Sequence, residues 1–282
     1  MTLDTDSLRL AGSKLTADIS DVLTALTLDT GTGSVAQLTI TASDDKGVIT
    51  GTALATPGTA VLWRGDTWQV GARTTERSSS NTTLHTFDCR STLARMLRRT
   101  FKASAERKVS PTEWITRRVA TAGGIAICQP SSKQGTIAQT SGDQRQSELD
   151  VISSLCSDQG WEWVEWAGRL WCGSRHWAWQ GGATGQRMWA VTWGADPATD
   201  AISSQITVDD DDTDNVRSGS IAVPYDFGVR IRPWDRISLA GHGVDNGIYL
   251  VEKVQFTADS TSPISVEVAQ PHRPVKKSGS ST

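Results

Sequence analysis

Several features that would place the chain in a specialised class are missing from its sequence. Its 282 residues include only four cysteines, which stand far apart, and no apolar run approaches the roughly 20 residues of a membrane-spanning helix. The first residues are acidic rather than apolar, so no secretory signal is expected. A formal net charge of −3 does not suit a general nucleic-acid binder. We therefore expect neither a membrane-spanning protein, nor a Sec-exported protein, nor a basic DNA coat.

No pattern of metal ligands is complete. Cys172 and His176 have the Cys-x3-His spacing of half a zinc site, but no Cys-x2-Cys pair supplies the other half. The acidic run from Asp209 to Asp214 has carboxylates at early EF-hand positions, but later positions of the loop lack the required glycine and glutamate. We expect reduced thiols, no bound metal and no other cofactor. A weak cation site in the acidic run stays open.

Motifs of catalysis are also missing. Gly31 and Gly33 match part of a dinucleotide-binding fingerprint, but strand-like residues follow where the fingerprint requires a helix. The histidines lie in unrelated contexts, without a Gly-x-Ser-x-Gly elbow or a His-Glu-x-x-His helix. They are His85, His176, His242 and His272. We therefore predict no catalytic residues and no enzymatic activity.

Tryptophan is unusually frequent. It supplies 12 residues, against 4 phenylalanines and 2 tyrosines, and most of the tryptophans lie between Trp161 and Trp193. Such a cluster suits either a sugar-stacking platform or packing in the core. We predict packing, and a Trp-lined glycan-binding surface is the alternative. The predicted contacts are those of Trp161, Trp163 and Trp171 with Leu149, Ile152 and Leu155.

Period-two alternation of apolar and polar residues predicts strands in two blocks, residues 1–88 and 189–270. Turn signals separate the strands, and residues 63–68 are typical of a hairpin with Arg64, Gly65 and Asp66 at its tip. Short antiparallel strands of this kind predict small barrels or sandwiches. Residues 271–282, rich in proline, lysine and serine, are expected to form a disordered tail.

The middle segment, residues 89–188, combines helices with a hairpin. Helices are predicted from Ser91 to about Phe101, from Ser110 to Gly123 and from Ser147 to Gln159. Ser110-Pro-Thr-Glu is a strong helix start, with a serine cap, proline in the first position and a capping-box glutamate. The buried stripe predicted for the first helix consists of Leu93, Met96, Leu97 and Phe101. Residues 161–172 should form a hairpin around a two-residue turn.

Basic residues cluster on and after the first of these helices. They are Arg90, Arg95, Arg98, Arg99, Lys102, Arg107 and Lys108. Such a face could contact an acidic partner or nucleic acid. No aromatic residue that could stack on bases lies among them, so we favour the interpretation that they form the solvent-exposed face of an amphipathic helix.

The middle segment resembles the tail hub proteins of long-tailed bacteriophages. The resemblance rests on the helix start Ser110-Pro-Thr-Glu113, on the helix 147–159 followed by Gly160-Trp161, and on the hairpin strand Leu170-Trp-Cys-Gly. In that family these units lie between two β-barrels that look like tail-tube proteins. The order of modules agrees over about residues 5 to 270.

The resemblance implies a mainly β fold in which two tail-tube-like β-barrel modules flank an α+β helix-hairpin segment. It implies a structural virion protein, a homotrimeric hub that closes the distal end of the tail tube and adapts a sixfold tube to a threefold tip. The implied partners are the tube protein, a distal-tail or baseplate ring and a tip or spike protein, with DNA passing through without specific binding. The location would be the tail tip or baseplate, assembled in the host cytoplasm without membrane insertion. A cell-wall-degrading or glycan-binding tail protein is the alternative.

Overall fold

The computed structural model describes residues 8–77, 82–100, 104–139, 146–194, 196, 200–208, 215–241, 243–257 and 262–272. The helices are α1 (Ala17–Val22), α2 (Thr92–Arg99), α3 (Pro111–Thr121), α4 (Glu148–Gln159), α5 (Arg175–Trp179) and α6 (Tyr225–Gly228). The strands of the first block are β1 (Leu8–Leu10), β2 (Ser13–Lys14), β3 (Leu23–Gly31), β4 (Gln37–Ser43), β5 (Ala60–Trp63), β6 (Asp66–Arg77) and β7 (Thr83–Arg90). Those of the middle are β8 (Ser104–Val109), β9 (Ile125–Cys128), β10 (Gly135–Gln139), β11 (Glu162–Trp166) and β12 (Arg169–Gly173). Those of the second block are β13 (Met188–Thr192), β14 (Ser203–Val208), β15 (Asn215–Val223), β16 (Arg236–Ala240), β17 (Gly247–Thr257) and β18 (Ile264–Pro271).

Thirteen of the strands form one curled, half-barrel sheet. Its main path runs β14-β15-β18-β17-β3-β4-β7-β6-β5-β1-β2, while β16 pairs with β17 and carries β13 on its other side. Neighbouring strands are antiparallel except for the parallel pair β13 and β16. The predicted mainly β fold with an α+β middle is confirmed.

The two β blocks meet where β3 pairs with β17. The register places Thr27 opposite Thr257 and Gly31 opposite Lys253. Strand edges carry unpaired backbone groups, and this pairing satisfies one edge from each block. The blocks are therefore joined edge to edge within one chain. The division of the chain into three domains, with boundaries at residues 88 and 188, stays a prediction.

The middle segment forms its own small sheets against three helices. The predicted hairpin is present, and its strand β12 also pairs in parallel with β9, so that the order is β11-β12-β9. Ser91, Ser110 and Ser147 cap α2, α3 and α4 through their side-chain oxygens. These caps confirm the three predicted helix starts, because capping depends on residues within a single turn.

Several details differ from the sequence-based expectation. Met96 is 45% exposed, so it does not belong to the buried stripe of α2, where Ala94 lies instead. Glu113 does not complete a capping box but lies 4.0 Å from Arg117 on the next turn of α3. The full capping box is at α4, between Ser147 and an aspartate. The helices α1, α5 and α6 were not predicted, since each has six residues or fewer and shows little helical periodicity.

The β11–β12 hairpin separates two hydrophobic cores. Trp163, Leu170 and Cys172 pack with the helices of the middle segment. Trp166 and Trp171 lie on the other face, in the core of the large sheet. The predicted packing is therefore confirmed for Trp161 and Trp163. It is wrong for Trp171, because neighbouring residues in a strand face opposite ways and both faces of this hairpin are covered.

Candidate assembly surface

The positions that suggested a metal site do not come together in the structure. The described residues contain no cluster of three or more His, Cys, Asp or Glu side chains suited to a metal ion. Cys172 lies in β12, while the ring of His176 lies on α5 against Trp179, with 5.5 Å between ring centroids. Burial raises the pKa of the Cys89 thiol to about 12, which disfavours the thiolate form that metals bind. The acidic run from Asp209 to Asp214 lies outside the described residues.

His85 and Asp44 form the nearest approach to a catalytic pair, and their roles are structural. His85 Nε2 lies 3.9 Å from Asp44 Oδ2, and burial lowers the pKa of the imidazole. The Asp44 carboxylate accepts hydrogen bonds from the backbone N–H groups of Val48 (2.9 Å) and Ile49 (2.7 Å). The carboxylate therefore closes a turn, and the neutral imidazole fills the space beside it.

The glycine loop between β3 and β4 binds the hairpin rather than a nucleotide. Gly33 N–H donates to the carbonyl of Trp163 (2.6 Å), and Ala36 N–H donates to the carbonyl of Glu165 (3.1 Å). The chain then continues into β4, which confirms that a strand follows the glycines. A cleft of about 660 Å³ lies beside this loop and the start of α4. At the N-terminus of α4, the capping box of Ser147 and Asp150 already binds the backbone N–H groups that a phosphate would need, so this end of the helix offers no phosphate site.

The tryptophan cluster is mostly inside the protein. The buried tryptophans are Trp63, Trp68, Trp114, Trp161, Trp163, Trp166, Trp171 and Trp234. Trp177, Trp179 and Trp189 are partly buried against the core of the large sheet. Trp193 is the one that is more than half exposed, at 52%. A sugar-stacking platform needs several exposed faces side by side, and these positions do not provide one.

The basic residues around α2 do not form one continuous surface. Arg90 donates to the side chain of Gln37 (3.1 Å) between two strands of the large sheet, and Arg95 donates to that of Gln69 (2.7 Å), which holds α2 onto the sheet. Arg99 is exposed, and Lys102 lies outside the described residues. These positions agree with the favoured interpretation, in which the basic residues lie on the solvent-exposed face of an amphipathic helix.

Two exposed strand edges of the large sheet belong to different β blocks. Within the described residues, β14 pairs with β15 alone. Ile202 precedes the strand and Val208 ends it, and each is 53% exposed. The outer half of β6, residues 72–76, pairs with β7 alone, because the first residue of β5, Ala60, lies opposite Gln69 and the ladder with β5 extends no further along β6. Both segments are accessible, and we call them the β14 edge and the β6 edge. Exposed edges of this length are ready to pair with another chain.

The fold of the chain is similar to the folds of two solved tail proteins. The 43 kDa tail protein of prophage MuSo2 from Shewanella oneidensis superposes with a TM-score of 0.63 at 8% identity, over 93% of this chain and 95% of that one. A tail protein from Neisseria meningitidis gives a TM-score of 0.60 at 10% identity, over 94% and 95% of the two chains.

A third solved structure extends the likeness to a secretion machine. It is an E. coli component of the type VI secretion system, described as similar to the T4 bacteriophage tail proteins gp27 and gp5. The TM-score is 0.61 at 10% identity, over 94% of this chain and 77% of that one. No family model and no curated protein sequence matches the chain. The resemblance to tail hub proteins is thus confirmed at the level of the fold. Among the described helices, none is both long and apolar enough to cross a bilayer.

Proposed function

We propose that the protein is a structural component of a phage tail, a homotrimeric hub at the distal end of the tail tube. The observation that carries this proposal is the pairing of β3 with β17, which joins two curled β blocks within one chain. Three copies would present six blocks, so a ring with threefold symmetry would offer a pseudo-sixfold face to a sixfold tube. The tail-protein fold supports the same assignment.

The exposed edges supply the contact that such a ring needs. In a cyclic assembly each copy uses two different surfaces, one for each neighbour. The β14 edge belongs to the second block and the β6 edge to the first, so the β14 edge of one copy would pair with the β6 edge of the next. Ile202 and Val208 would then be covered, which explains why apolar side chains stand exposed there.

Within this proposal, tube subunits would bind above the ring, and a distal-tail or baseplate ring and a tip or spike protein would bind around and below it. DNA would pass through the channel without specific contacts. The site of action would be the tail tip or baseplate of the virion, reached by assembly in the host cytoplasm. The role would be structural, with no chemical reaction at this chain.

Light scattering of the full chain tests the oligomeric state. A mass of three times 30.3 kDa is expected for the wild type. The double variant Ile202→Asp, Val208→Asp should be monomeric, because two carboxylates cannot be buried without partners in a strand-pairing contact. Met96→Asp is the matched control, since Met96 is 45% exposed on α2 and belongs to neither edge. A wild type that is monomeric at all concentrations, or a trimer that survives the double substitution, would overturn the proposal.

A further inference from the structure

A cleft of about 280 Å³ lies where the two β blocks and the β11–β12 hairpin meet. Its floor is apolar and includes Leu28, Trp68, Trp166 and Phe256. Its rim is basic, with Arg64 from the β5–β6 turn, Arg187 from the end of the middle segment, and Arg230 and Arg232 from the second block. These residues are distant in sequence, so only the fold brings them together.

The charges at this rim are not balanced. Asp66 is the acidic residue in the lining, and its carboxylate is paired with the guanidinium of Arg232 at 3.0 Å. Arg187 and Arg230 are exposed, and among the described residues neither lies within ion-pair distance of a carboxylate, although the charge of Arg187 favours the charged form of the nearby buried Asp235 carboxyl. A local excess of positive charge in a chain with a net charge of −3 requires a reason, because like charges repel when no anion lies between them.

Aromatic side chains hold the rim arginines in place. The guanidinium carbons of Arg187 and Arg230 each lie 5.7 Å from the ring centre of Trp189. The Trp189 ring is itself fixed, since its Nε1–H donates to the buried Asp235 carboxylate (2.8 Å). The guanidinium of Arg64 lies 5.1 Å from the ring of Tyr225. Such stacking positions the charged groups before a ligand arrives, which lowers the entropy lost on binding.

We propose that this cleft binds an acidic segment of a partner protein, with an apolar side chain on the floor and carboxylates against Arg187 and Arg230. Guanidinium groups bind carboxylates through paired, charge-assisted hydrogen bonds. The volume of the cleft accommodates about one large side chain, and a nucleic-acid duplex is too wide to enter it. Phosphates of a duplex would reach the rim and leave the apolar floor uncovered, so the two parts of the cleft together select a peptide.

The site is separate from the proposed ring contact. Its residues belong neither to the β14 edge nor to the β6 edge, so loss of peptide binding and loss of trimerisation are independent results. The proposal therefore adds a binding activity for a further protein, whichever oligomeric state the chain adopts.

Peptide titration of the full chain, followed through tryptophan fluorescence, tests the site. The probes are a synthetic peptide of alternating glutamate and leucine, its glutamine–leucine counterpart and a polyglutamate of equal charge. We expect the glutamate–leucine peptide to bind at least about tenfold more tightly than either of the others. The variant Arg187→Gln, Arg230→Gln should lose at least about tenfold in affinity, while Arg99→Gln, Arg107→Gln should match the wild type.

The same samples supply the results that would overturn the proposal. If the rim variant and the wild type bind the glutamate–leucine peptide with equal affinity, the rim arginines have no role. If the wild type binds polyglutamate as tightly as the glutamate–leucine peptide, the apolar floor has no role. Absence of measurable binding to the glutamate–leucine peptide would also overturn it. Tighter binding of a single-stranded oligonucleotide of equal charge would assign the rim to phosphates instead. Light scattering separates these results from the ring, because a rim variant that loses its oligomeric state would place the arginines in the subunit contact.

Discussion

The hydroxyl group of Ser91 donates a hydrogen bond to the buried carboxylate of Glu165, at the junction between the large sheet and the middle segment. The same hydroxyl oxygen accepts the N–H of Ala94 (3.0 Å) and so caps α2. Glu165 also accepts the N–H of Gly168 (2.9 Å), in the turn of its own hairpin. One serine and one glutamate therefore fix the angle between α2 and the hairpin.

Glu165 should make the stability of the protein depend on pH. Burial raises the pKa of this carboxyl to about 7, although Ser91, Gly168 and Arg98 favour the charged form. Because the folded protein binds this proton more tightly than the unfolded chain, the stabilisation is full below about pH 4.5 and is lost as the pH rises to about 7. The difference corresponds to roughly 3 kcal/mol. Glu165→Gln should abolish this contribution and be more stable than the wild type above pH 7, as measured by thermal unfolding.

Burial also raises the pKa values of Glu148 and Asp235, so the stability of the wild type depends on pH through these two groups as well. The informative quantity is the difference between variant and wild type at each pH. Glu113→Gln should follow the wild type throughout, since the Glu113 side chain is 56% exposed. Identical pH profiles for wild type and Glu165→Gln would show that Glu165 titrates normally.

Trp163→Ala should destabilise the fold by about 3 to 5 kcal/mol, because it leaves a cavity between the hairpin and α4. Urea unfolding measures this free energy. Trp193→Ala is the matched control and should change stability by less than about 0.5 kcal/mol, since that side chain is 52% exposed. Unchanged stability of Trp163→Ala together with loss of glycan binding would instead support the sugar-binding alternative.

Gly219→Ala should release β14 from the sheet. A Cβ atom at Gly219 would lie 1.9 Å from the carbonyl oxygen of Gln205, and a backbone atom cannot move away as a side chain can. Hydrogen exchange should speed up at the amides of β14 and stay unchanged in β3 and β4. Gly135→Ala, where nothing lies within 4 Å of the added Cβ, is the control. Unchanged exchange in β14 would contradict this close approach.

Asp66 connects all three parts of the chain. Its carboxylate accepts the indole N–H of Trp166 (2.9 Å) and pairs with Arg232. Asp66→Ala should cost about 1 to 3 kcal/mol, because the buried N–H loses its partner. Asp66→Asn retains an acceptor for Trp166 and should cost less, so the order of melting temperatures is expected to be wild type, then Asp66→Asn, then Asp66→Ala. Equal losses in the two variants would assign the effect to the ion pair alone.

The sequence was most informative where structure depends on near neighbours. The caps at Ser110 and Ser147 and the hairpin turns at Arg64-Gly65 and Ala167-Gly168 are each set by a few adjacent residues. Long-range pairing was not predictable in the same way. The parallel ladder that places Cys172 beside Cys128 leaves no local pattern in either strand.

The basic cleft was missed for a related reason. Arg64, Arg187 and Arg230 stand in three separate segments, and each alone has the context of an ordinary surface residue. The aromatic rings beneath them were visible in the sequence only as an excess of tryptophan. Alternation in β11 and β12 showed which tryptophans share a face, but it could not show which of two cores that face would meet.

The pairing of β3 with β17 also sets the order in which the chain can fold. Residues 27–31 find their partners only at residues 253–257, so most of the polypeptide must leave the ribosome before this ladder can form. The helices and hairpin between residues 104 and 179 make mostly local contacts and can assemble earlier. Until residues 253–257 have been synthesised, one edge of β3 is therefore unpaired and open to pairing with another nascent chain.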